Sequence, residues 1–283
     1  LDPMRIFYRK LDAGVYNGEY NVPVRLYFPT EEAMKKGVEE GHELPVLLFF
    51  HGGGWVTESV DNYDRVCARM SQSTGRIVAS VQYRLAPEHP FPTGLLDCYA
   101  AARALFTNRF LLNTNPEEIA IIGDSAGGNL AAAVCLMARD TGEFTPEKQI
   151  LIYPALNNCY TEQSPYPSVK ENGEGYLLTA KKMENYLTLY QSSPKDRENP
   201  YFSPLLAKDL RNMPDTLILT AQFDPLRDEG EAYGEKLLAA GNKVEIHRIA
   251  EAFHGYFALG IKFLHVQESF EYMNAFLKES SGS

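Results

Sequence analysis

The sequence contains little cysteine. Only four cysteines occur among 283 residues, far apart and without a C-x-x-C pair. This spacing argues against a zinc site, and few cysteines in a long chain are typical of a reducing compartment. We therefore predict four buried thiols, no bound metal and a cytoplasmic protein.

Basic residues are also in deficit, with 27 Lys and Arg against 37 Asp and Glu and a formal net charge of −10. Such a surface repels the phosphates of nucleic acids, so we expect no nucleic-acid partner. No apolar run approaches the ~18 residues of a membrane helix, and the N-terminal residues have no signal-peptide pattern. We therefore expect no membrane partner.

Short apolar runs alternate with amphipathic segments along most of the chain. Continuous apolar runs are typical of strands that are buried on both faces. The patterns predict strands at 22–28, 45–50, 76–83, 119–122, 149–154, 216–220 and 243–249. They predict helices at 62–73, 94–110, 125–140, 227–240 and 265–279. This alternation predicts a mostly parallel sheet with helices on both faces.

Residues 157–204 interrupt the alternation, because they contain many Pro, Tyr and Ser residues and no predicted strand. One helix is predicted there, at 179–190. A span this long without a strand is usually functional. It follows the carboxyl end of a strand, the edge where α/β sheets bind ligands. We predict a single domain over 1–283, with 157–204 as a lid inserted over the site.

The stretch GDSAGGN begins at Gly123, between a predicted strand and a predicted helix. G-x-S-x-G in this context is a nucleophile elbow, and a Cβ at Gly123 or Gly127 would clash with neighbouring backbone. The alternative is an ordinary glycine-rich helix start, which does not account for the preceding strand. Ser125 is therefore the candidate nucleophile, at a helix N-terminus that favours negative charge.

A serine nucleophile needs a base and an acid that orients the base. His254 follows the predicted strand 243–249, at the edge where loops line a site. Four other histidines lie where structural or solvated histidines are common: His42, His89, His247 and His265. Asp224 directly follows a strand and is the first candidate acid, and Asp228 in the next helix is the alternative. The order Ser125, Asp224, His254 is that of α/β hydrolases.

Three consecutive glycines at 52–54 follow the predicted buried strand 45–50 and precede the only tryptophan. Acyl transfer creates an oxyanion, which needs preorganised N–H donors. Backbone amides can approach closely only where side chains are absent. We predict that these glycines form an oxyanion loop, and that Ala126, after the nucleophile, supplies another N–H. A flexible turn, the alternative, seldom follows a buried strand and carries both a His and a Trp.

Five motifs in this order resemble those of the hormone-sensitive-lipase family of bacterial esterases, within the α/β-hydrolase fold. They are HGGGW at 51–55, YRLAPEHPFP at 83–92, GDSAGGN at 123–129, DPLRDEG at 224–230 and FHGY at 253–256. The match runs from about residue 22 to the C-terminus. Members of the family carry extra helices before their first strand, so a strand beginning at residue 22 implies a reduced lid.

The resemblance implies a role for each matching residue. Ser125 would be the nucleophile, His254 the general base and Asp224 its orienting acid. The oxyanion hole would consist of Gly53, Gly54 and Ala126. Two supporting residues are also implied: His51 would hold the glycine loop in shape, and the loop of Glu88 would brace the elbow.

These features predict a serine carboxylesterase that acts on short-acyl esters through an acyl-enzyme, without a cofactor. The predicted lid offers aromatic surfaces but no long aliphatic stretch, so acetyl to hexanoyl groups are expected. Hydrolysis of a small amide, such as an arylformamide, is an alternative that a triad does not exclude. A small-molecule receptor on a hydrolase fold is another, although a receptor is expected to lose a triad member. Some relatives form homodimers through the last edge strand, here 243–249.

Overall fold

A computed structural model describes residues 9–279, which fold around an eight-stranded sheet. The strands are β1 (Lys10–Tyr16), β2 (Asn21–Tyr27), β3 (Val46–Phe50), β4 (Ile77–Val81), β5 (Ile119–Asp124), β6 (Lys148–Ile152), β7 (Asp215–Phe223) and β8 (Val244–Phe253). Their order across the sheet is β1-β2-β4-β3-β5-β6-β7-β8. In this order, all neighbouring strands from β4 to β8 run parallel. β2 pairs antiparallel with both β1 and β4. The predicted, mostly parallel sheet is therefore confirmed.

Helices cover both faces of this sheet. They are α1 (Glu31–Met34), α2 (Asp64–Thr74), α3 (Thr93–Phe106), α4 (Ala126–Thr141), α5 (Pro167–Glu171), α6 (Ala180–Tyr190), α7 (Arg227–Ala239) and α8 (Leu264–Lys278). Successive side chains of β3 point to opposite faces, as the strand period requires. Leu48 joins the core formed with α3, α4 and α7, and Leu47 joins the core formed with α2 and α8. Helices on both faces were predicted, and this is confirmed.

The sequence analysis missed β1, although a signal was present. Leu11, Ala13 and Val15 alternate with polar residues, and only Val15 is buried. Among the described strands β1 is at the edge and pairs with β2 alone, so it needs less apolar surface than the central strands. The predicted helix 94–110 also ends earlier, at Phe106, because the chain turns at Asn108, whose φ is 53°.

β7 and β8 extend beyond the predicted ends at 220 and 249, to Phe223 and Phe253. The candidate acid and base therefore follow directly on the last strand residues. Residues 157–204 contain no strand, as predicted, but hold two α-helices rather than one. The missed helix, α5, has five residues, too few for a periodic pattern.

The four cysteines are free, and three of them are buried. Cys159 is only partly buried, so the prediction that all four thiols are buried is wrong at this position. Within residues 9–279, no helix has the length and apolar character needed to cross a membrane. The same residues contain no group of three or more His, Cys, Asp or Glu side chains arranged to hold a metal ion.

A buried lysine holds the end of α8 against the sheet. Lys148, the first residue of β6, is 8% exposed and its Nζ donates to the carbonyl oxygens of Phe276, Leu277 and Glu279. The last carbonyls of a helix have no partner within the helix, and a cation there also interacts favourably with the helix dipole. Lys148 therefore adds a charged side-chain cap to the backbone cap of the Glu279 N–H, which also donates to the Phe276 carbonyl.

We predict that Lys148→Met lowers the free energy of unfolding by about 1.5–3 kcal/mol, the range for hydrogen bonds to a charged group. Lys243→Met is the matched control, because Lys243 pairs with Glu279 at the same helix end, 2.9 Å apart, but in solvent. Exposed ion pairs contribute little, so its effect should be much smaller. Chemical denaturation measures both, and equal losses would contradict the role given to Lys148.

Candidate active site

Ser125, His254 and Asp224 meet at the carboxyl edge of the sheet, after β5, β8 and β7. The Ser125 Oγ lies 2.8 Å from His254 Nε2. The other imidazole nitrogen, Nδ1, lies 2.7 Å from Asp224 Oδ2. The three residues named from the sequence therefore form one chain of hydrogen bonds.

The backbone at Ser125 makes a sharp turn between β5 and α4. Its φ of 57° and ψ of −116° are strained for a residue with a side chain. Neighbouring glycines make room for this turn: a Cβ on Gly123 would lie 2.1 Å from the Gly127 oxygen. A Cβ on Gly127 would lie 1.8 Å from the Phe50 oxygen. Both positions therefore require glycine, as the sequence predicted.

The carboxylate of Asp224 is fully buried and has a partner on each oxygen. Oδ1 accepts the backbone N–H of Leu226 at 2.9 Å, and Oδ2 faces His254. The alternative acid, Asp228, accepts hydrogen bonds from the Ser168 N–H and the Arg227 guanidinium instead. The geometry therefore favours Asp224 over Asp228 as the partner of His254.

Tyr153 packs against His254 and was not singled out from the sequence. The two ring centroids are 4.4 Å apart with an interplanar angle of 55°. Tyr153 directly follows β6 and is buried, and its φ is 30°. Its position after a strand at the same edge as Ser125 was a signal that could have identified it. The ring restricts the positions open to the imidazole.

The glycine loop at 52–54 lies beside the nucleophile turn. Gly53 and Gly54 have φ values of 119° and 62°, in the region that favours glycine. A Cβ would lie 2.4 Å from the Thr57 oxygen at Gly53, and 2.5 Å from the Tyr186 ring at Gly54.

The backbone donors of the loop differ in what they bind. The Gly52 N–H donates to the side chain of Asp124 at 2.9 Å. By contrast, the N–H groups of Gly53, Gly54 and Ala126 have no hydrogen-bond partner within residues 9–279. These three donors are the ones that the family resemblance implies for an oxyanion hole, and they are free to bind a ligand.

His51, the predicted support of the glycine loop, is fully buried beneath it. Its ring stacks on Tyr83 with centroids 4.5 Å apart, and its Nδ1 lies 2.6 Å from the Gly52 oxygen. The Tyr83 hydroxyl donates to the His51 carbonyl at 2.8 Å. Burial lowers the pKa of His51 to about 4, so the ring is neutral at pH 7. His51 therefore contacts the loop without adding charge.

Glu88, the other predicted support, lies on the exposed loop after β4. In the described part of the chain its side chain forms no hydrogen bond or ion pair, so no polar contact joins this side chain to the elbow. The buried Asp97 holds this loop instead. Its carboxylate accepts from the backbone N–H and the guanidinium of Arg84, at 3.0 and 2.9 Å.

Asp124 and Tyr63 were also missed by the sequence analysis. Asp124 is the variable residue of G-x-S-x-G and the last residue of β5, and it is 2% exposed. Its carboxylate accepts the Gly52 N–H and, at 2.8 Å, the Tyr63 hydroxyl. Burial raises the pKa of this carboxyl to about 6. An acidic residue in an otherwise apolar strand was the signal that could have identified it.

A cavity of about 450 Å³ opens at Ser125 and His254. This volume lies within the range of small-molecule sites. Apolar and aromatic side chains line much of it, including Trp55, Tyr153, Leu178, Met183 and Tyr186. Exposed charged side chains stand at its rim, namely Glu58, Arg65 and Lys182. The cavity therefore offers apolar surface beside the serine and charged side chains towards solvent.

The family model Abhydrolase_3, described as the alpha/beta hydrolase fold, matches residues 47–258. Similar curated proteins include the carboxylic ester hydrolase LipN of Mycobacterium tuberculosis, 39% identical over 246 residues. The carboxylesterase NlhH of the same species is 37% identical over 244 residues, and an ethyl acetate hydrolase of Pseudomonas putida is 36% identical over 242. These alignments cover 84%, 85% and 85% of this chain, but 61%, 73% and 73% of the relatives. The chain thus spans less than two thirds of LipN.

Two solved structures extend the similarity to the fold. A hyperthermophilic esterase from the archaeon Pyrobaculum calidifontis superposes with a TM-score of 0.87 at 38% identity, over 96% of this chain and 85% of that chain. EstE1, a thermostable carboxylesterase cloned from a metagenomic library, superposes with a TM-score of 0.86 at 35% identity, over 97% and 90%. The similar proteins named above are all ester hydrolases.

We predict that a fluorophosphonate probe labels one serine per chain, because only an activated hydroxyl attacks phosphorus. Ser125→Ala should abolish labelling. Ser59→Ala is the matched control: this hydroxyl lies near the glycine loop but bonds to Asn62 and not to a histidine. Mass spectrometry of the intact protein counts the label. Undiminished labelling of Ser125→Ala would mean that another residue is the reactive nucleophile.

Proposed function

The chain belongs to the Abhydrolase_3 family of the α/β-hydrolase fold, the hormone-sensitive-lipase-like family that its motifs indicated, and on that premise we propose that it is a serine carboxylesterase. The observation that carries the proposal is the chain of hydrogen bonds from Ser125 through His254 to Asp224, open to a cavity. The activities named for its relatives support an ester rather than an amide as the substrate.

In the acylation step, Ser125 Oγ attacks the ester carbonyl carbon while His254 Nε2 takes the hydroxyl proton. The buried carboxylate of Asp224 holds the imidazole through Nδ1 and stabilises the imidazolium that forms. The carbonyl oxygen becomes an oxyanion, which accepts hydrogen bonds from the free N–H groups of Gly53, Gly54 and Ala126. These donors are already in place, so little reorganisation accompanies the charge.

The tetrahedral intermediate then collapses. The imidazolium of His254 gives its proton to the alkoxide oxygen as the C–O bond breaks, and the alcohol leaves an acyl group on Ser125. Water attacks this acyl-enzyme with His254 again as the base. The carboxylic acid leaves and the serine hydroxyl is restored, so the two steps need only these residues and water.

We also propose that residues 157–204 act as a lid that limits the acyl group. Helix α6 docks on the glycine loop, where Tyr190 stacks on Trp55 with centroids 4.6 Å apart. One turn earlier in α6, the Tyr186 ring lies directly over Gly54. These aromatic contacts supply a wall rather than a tunnel, and the charged rim favours water-soluble substrates.

Two further proposals concern the setting of the enzyme. The four free thiols support the cytoplasm, a reducing compartment, as its location. Among the strands of residues 9–279, β8 lies at the edge of the sheet and pairs with β7 alone, so its outer backbone groups can pair with β8 of a second copy. A homodimer through this strand is therefore our proposal for the assembly.

We predict that Asp224→Asn lowers kcat for p-nitrophenyl acetate by about 10⁴-fold, as expected for the acid of a Ser-His-Asp triad. Asp228→Asn is the matched control, because Asp228 bonds to Ser168 and Arg227 and not to His254. Steady-state kinetics compare the two variants. A larger loss in Asp228→Asn than in Asp224→Asn would show that Asp228 is the acid.

We predict that kcat/KM across p-nitrophenyl esters of two to sixteen carbons is highest between acetyl and hexanoyl. Each added CH₂ gains about 0.8 kcal/mol only where an apolar channel receives it, and the Tyr186 wall provides none. The same acyl group in 4-nitroacetanilide separates ester from amide hydrolysis, and the anilide should be the poorer substrate. An optimum at ten carbons or more, or a faster anilide, would contradict the proposed substrate class.

A further inference from the structure

The proposed reaction makes no use of the buried carboxylate beside the nucleophile. Asp124 precedes Ser125 in the chain and is 2% exposed. Within residues 9–279 it forms no ion pair with Lys or Arg, and its two oxygens are bound to neutral donors. Oδ1 accepts the Gly52 N–H at 2.9 Å, and Oδ2 accepts the Tyr63 hydroxyl at 2.8 Å.

The first of these hydrogen bonds, from the Gly52 N–H, joins the two halves of the proposed oxyanion hole. One half, Gly53 and Gly54, follows Gly52 in the loop after β3. The other half, Ala126, follows Asp124 and Ser125 in the turn after β5. The approach is close, because a Cβ on Gly52 would lie 3.0 Å from both the backbone oxygen and Oδ2 of Asp124. The two segments are therefore closely packed at Gly52, and the hydrogen bond restricts their movement relative to each other.

Tyr63 holds the carboxylate from the opposite side. It immediately precedes α2, and its ring lies 5.5 Å from that of His51, beneath the glycine loop. Burial raises the pKa of Tyr63 well above its usual value, so the hydroxyl keeps its proton and donates it to Asp124. A tyrosine at the start of α2 thus restricts the rotamer of an aspartate on the central sheet.

We propose that Asp124 and Tyr63 are positioning residues, which hold the glycine loop against the nucleophile turn so that three backbone N–H groups converge on one oxyanion. This inference rests on the proposed esterase function, since it assigns a purpose to an oxyanion hole. Both residues act through the backbone of the loop and not on the reacting atoms. We call this pair and its bond to Gly52 the Asp124 clamp.

The clamp lowers the stability of the folded protein, because it buries an ionised carboxylate. A residue with a purely structural role would not be expected to carry such a charge. The pKa of Asp124 in the folded protein is raised to about 6 by burial, above the ordinary value of an aspartate. The ionised form is therefore disfavoured by folding, so stability is lost as the pH rises through about 6 and regained as it falls. The titratable groups around this carboxylate are Tyr63, Cys67, Tyr83, Tyr153 and His254.

Three variants distinguish the effect of losing the hydrogen bonds of Asp124 from the effect of losing its charge. Asp124→Ala removes both hydrogen bonds, whereas Asp124→Asn keeps an oxygen for the Gly52 N–H and offers an N–H to the Tyr63 oxygen. Tyr63→Phe removes one bond only. Tyr99→Phe is the matched control, since it removes a comparable tyrosine–carboxylate bond, 2.8 Å to Glu143, away from the site.

On p-nitrophenyl acetate we expect Asp124→Ala to lose kcat by about 10²-fold or more with little change in KM, the loss typical of a displaced oxyanion donor. Asp124→Asn should lose less than about tenfold in kcat. Because it removes the buried charge, it should also have a higher melting temperature than wild type at pH 8. The kcat of Tyr63→Phe should fall between those of the two Asp124 variants, and the kcat of Tyr99→Phe should match that of the wild type. An Asp124→Ala enzyme with wild-type kcat, or Asp124→Asn as impaired as Asp124→Ala, would overturn the proposal.

Hydrogen exchange tests the clamp independently of turnover. The amides of Gly52, Val56 and Thr57 are hydrogen-bonded in the wild type, and they should exchange faster in Asp124→Ala and Tyr63→Phe. Those of α8 should not change. Unchanged exchange in the loop would contradict the clamp even if kcat fell. A wild-type protein without ester hydrolysis would contradict the proposed function alone. If Asp124→Ala does not fold, the same two measurements on Tyr63→Phe decide the question, and wild-type behaviour there overturns the inference.

Discussion

The active site depends on one close contact, in which the backbone of Gly127 lies against the carbonyl of Phe50 at the end of β3. A Cβ on Gly127 would lie 1.8 Å from that oxygen, so the approach is open only to glycine. The contact brings the first turn of α4 against the strand that leads into the glycine loop. It therefore sets the distance between the nucleophile turn and the free N–H groups of Gly53 and Gly54. The Asp124 clamp maintains this distance, and the proposed oxyanion hole depends on it.

Two buried carboxylates lie at this edge of the sheet, and their partners set their roles. Asp224 faces the imidazole of His254, so its charge is matched when the base takes a proton. Asp124 faces neutral donors, which use its two oxygens as acceptors and leave its charge without a partner cation. In the proposed mechanism, similar side chains thus serve proton transfer in one case and geometry in the other. Burial raises the pKa of the Asp124 carboxyl to about 6.

The sequence predicted the parallel sheet, the nucleophile elbow and the residues that meet there, because each of these leaves a local signal. Ser125, Asp224 and His254 each follow a predicted strand, and parallel strands end at a common edge. The contribution of Tyr63 was not predictable in this way, since it depends on a contact between distant elements. Tyr153 directly follows β6 and carried the same signal as the triad residues, but it was not singled out. Glu88 was named by resemblance alone, and the structure leaves it exposed on its loop. Short elements such as β1 and α5 were missed because few residues carry their pattern.

The central claim is that a tetrahedral group on Ser125 is held by the N–H groups of Gly53, Gly54 and Ala126. A crystal structure of the protein inactivated with an alkyl phosphonate tests this most directly, because the phosphonyl adduct has the shape and charge of the intermediate. The account predicts phosphorus on Ser125 Oγ and a phosphonyl oxygen about 2.7–3.1 Å from these nitrogens. An adduct on Ser125 whose oxygen points to solvent, or an adduct on another residue, would contradict it.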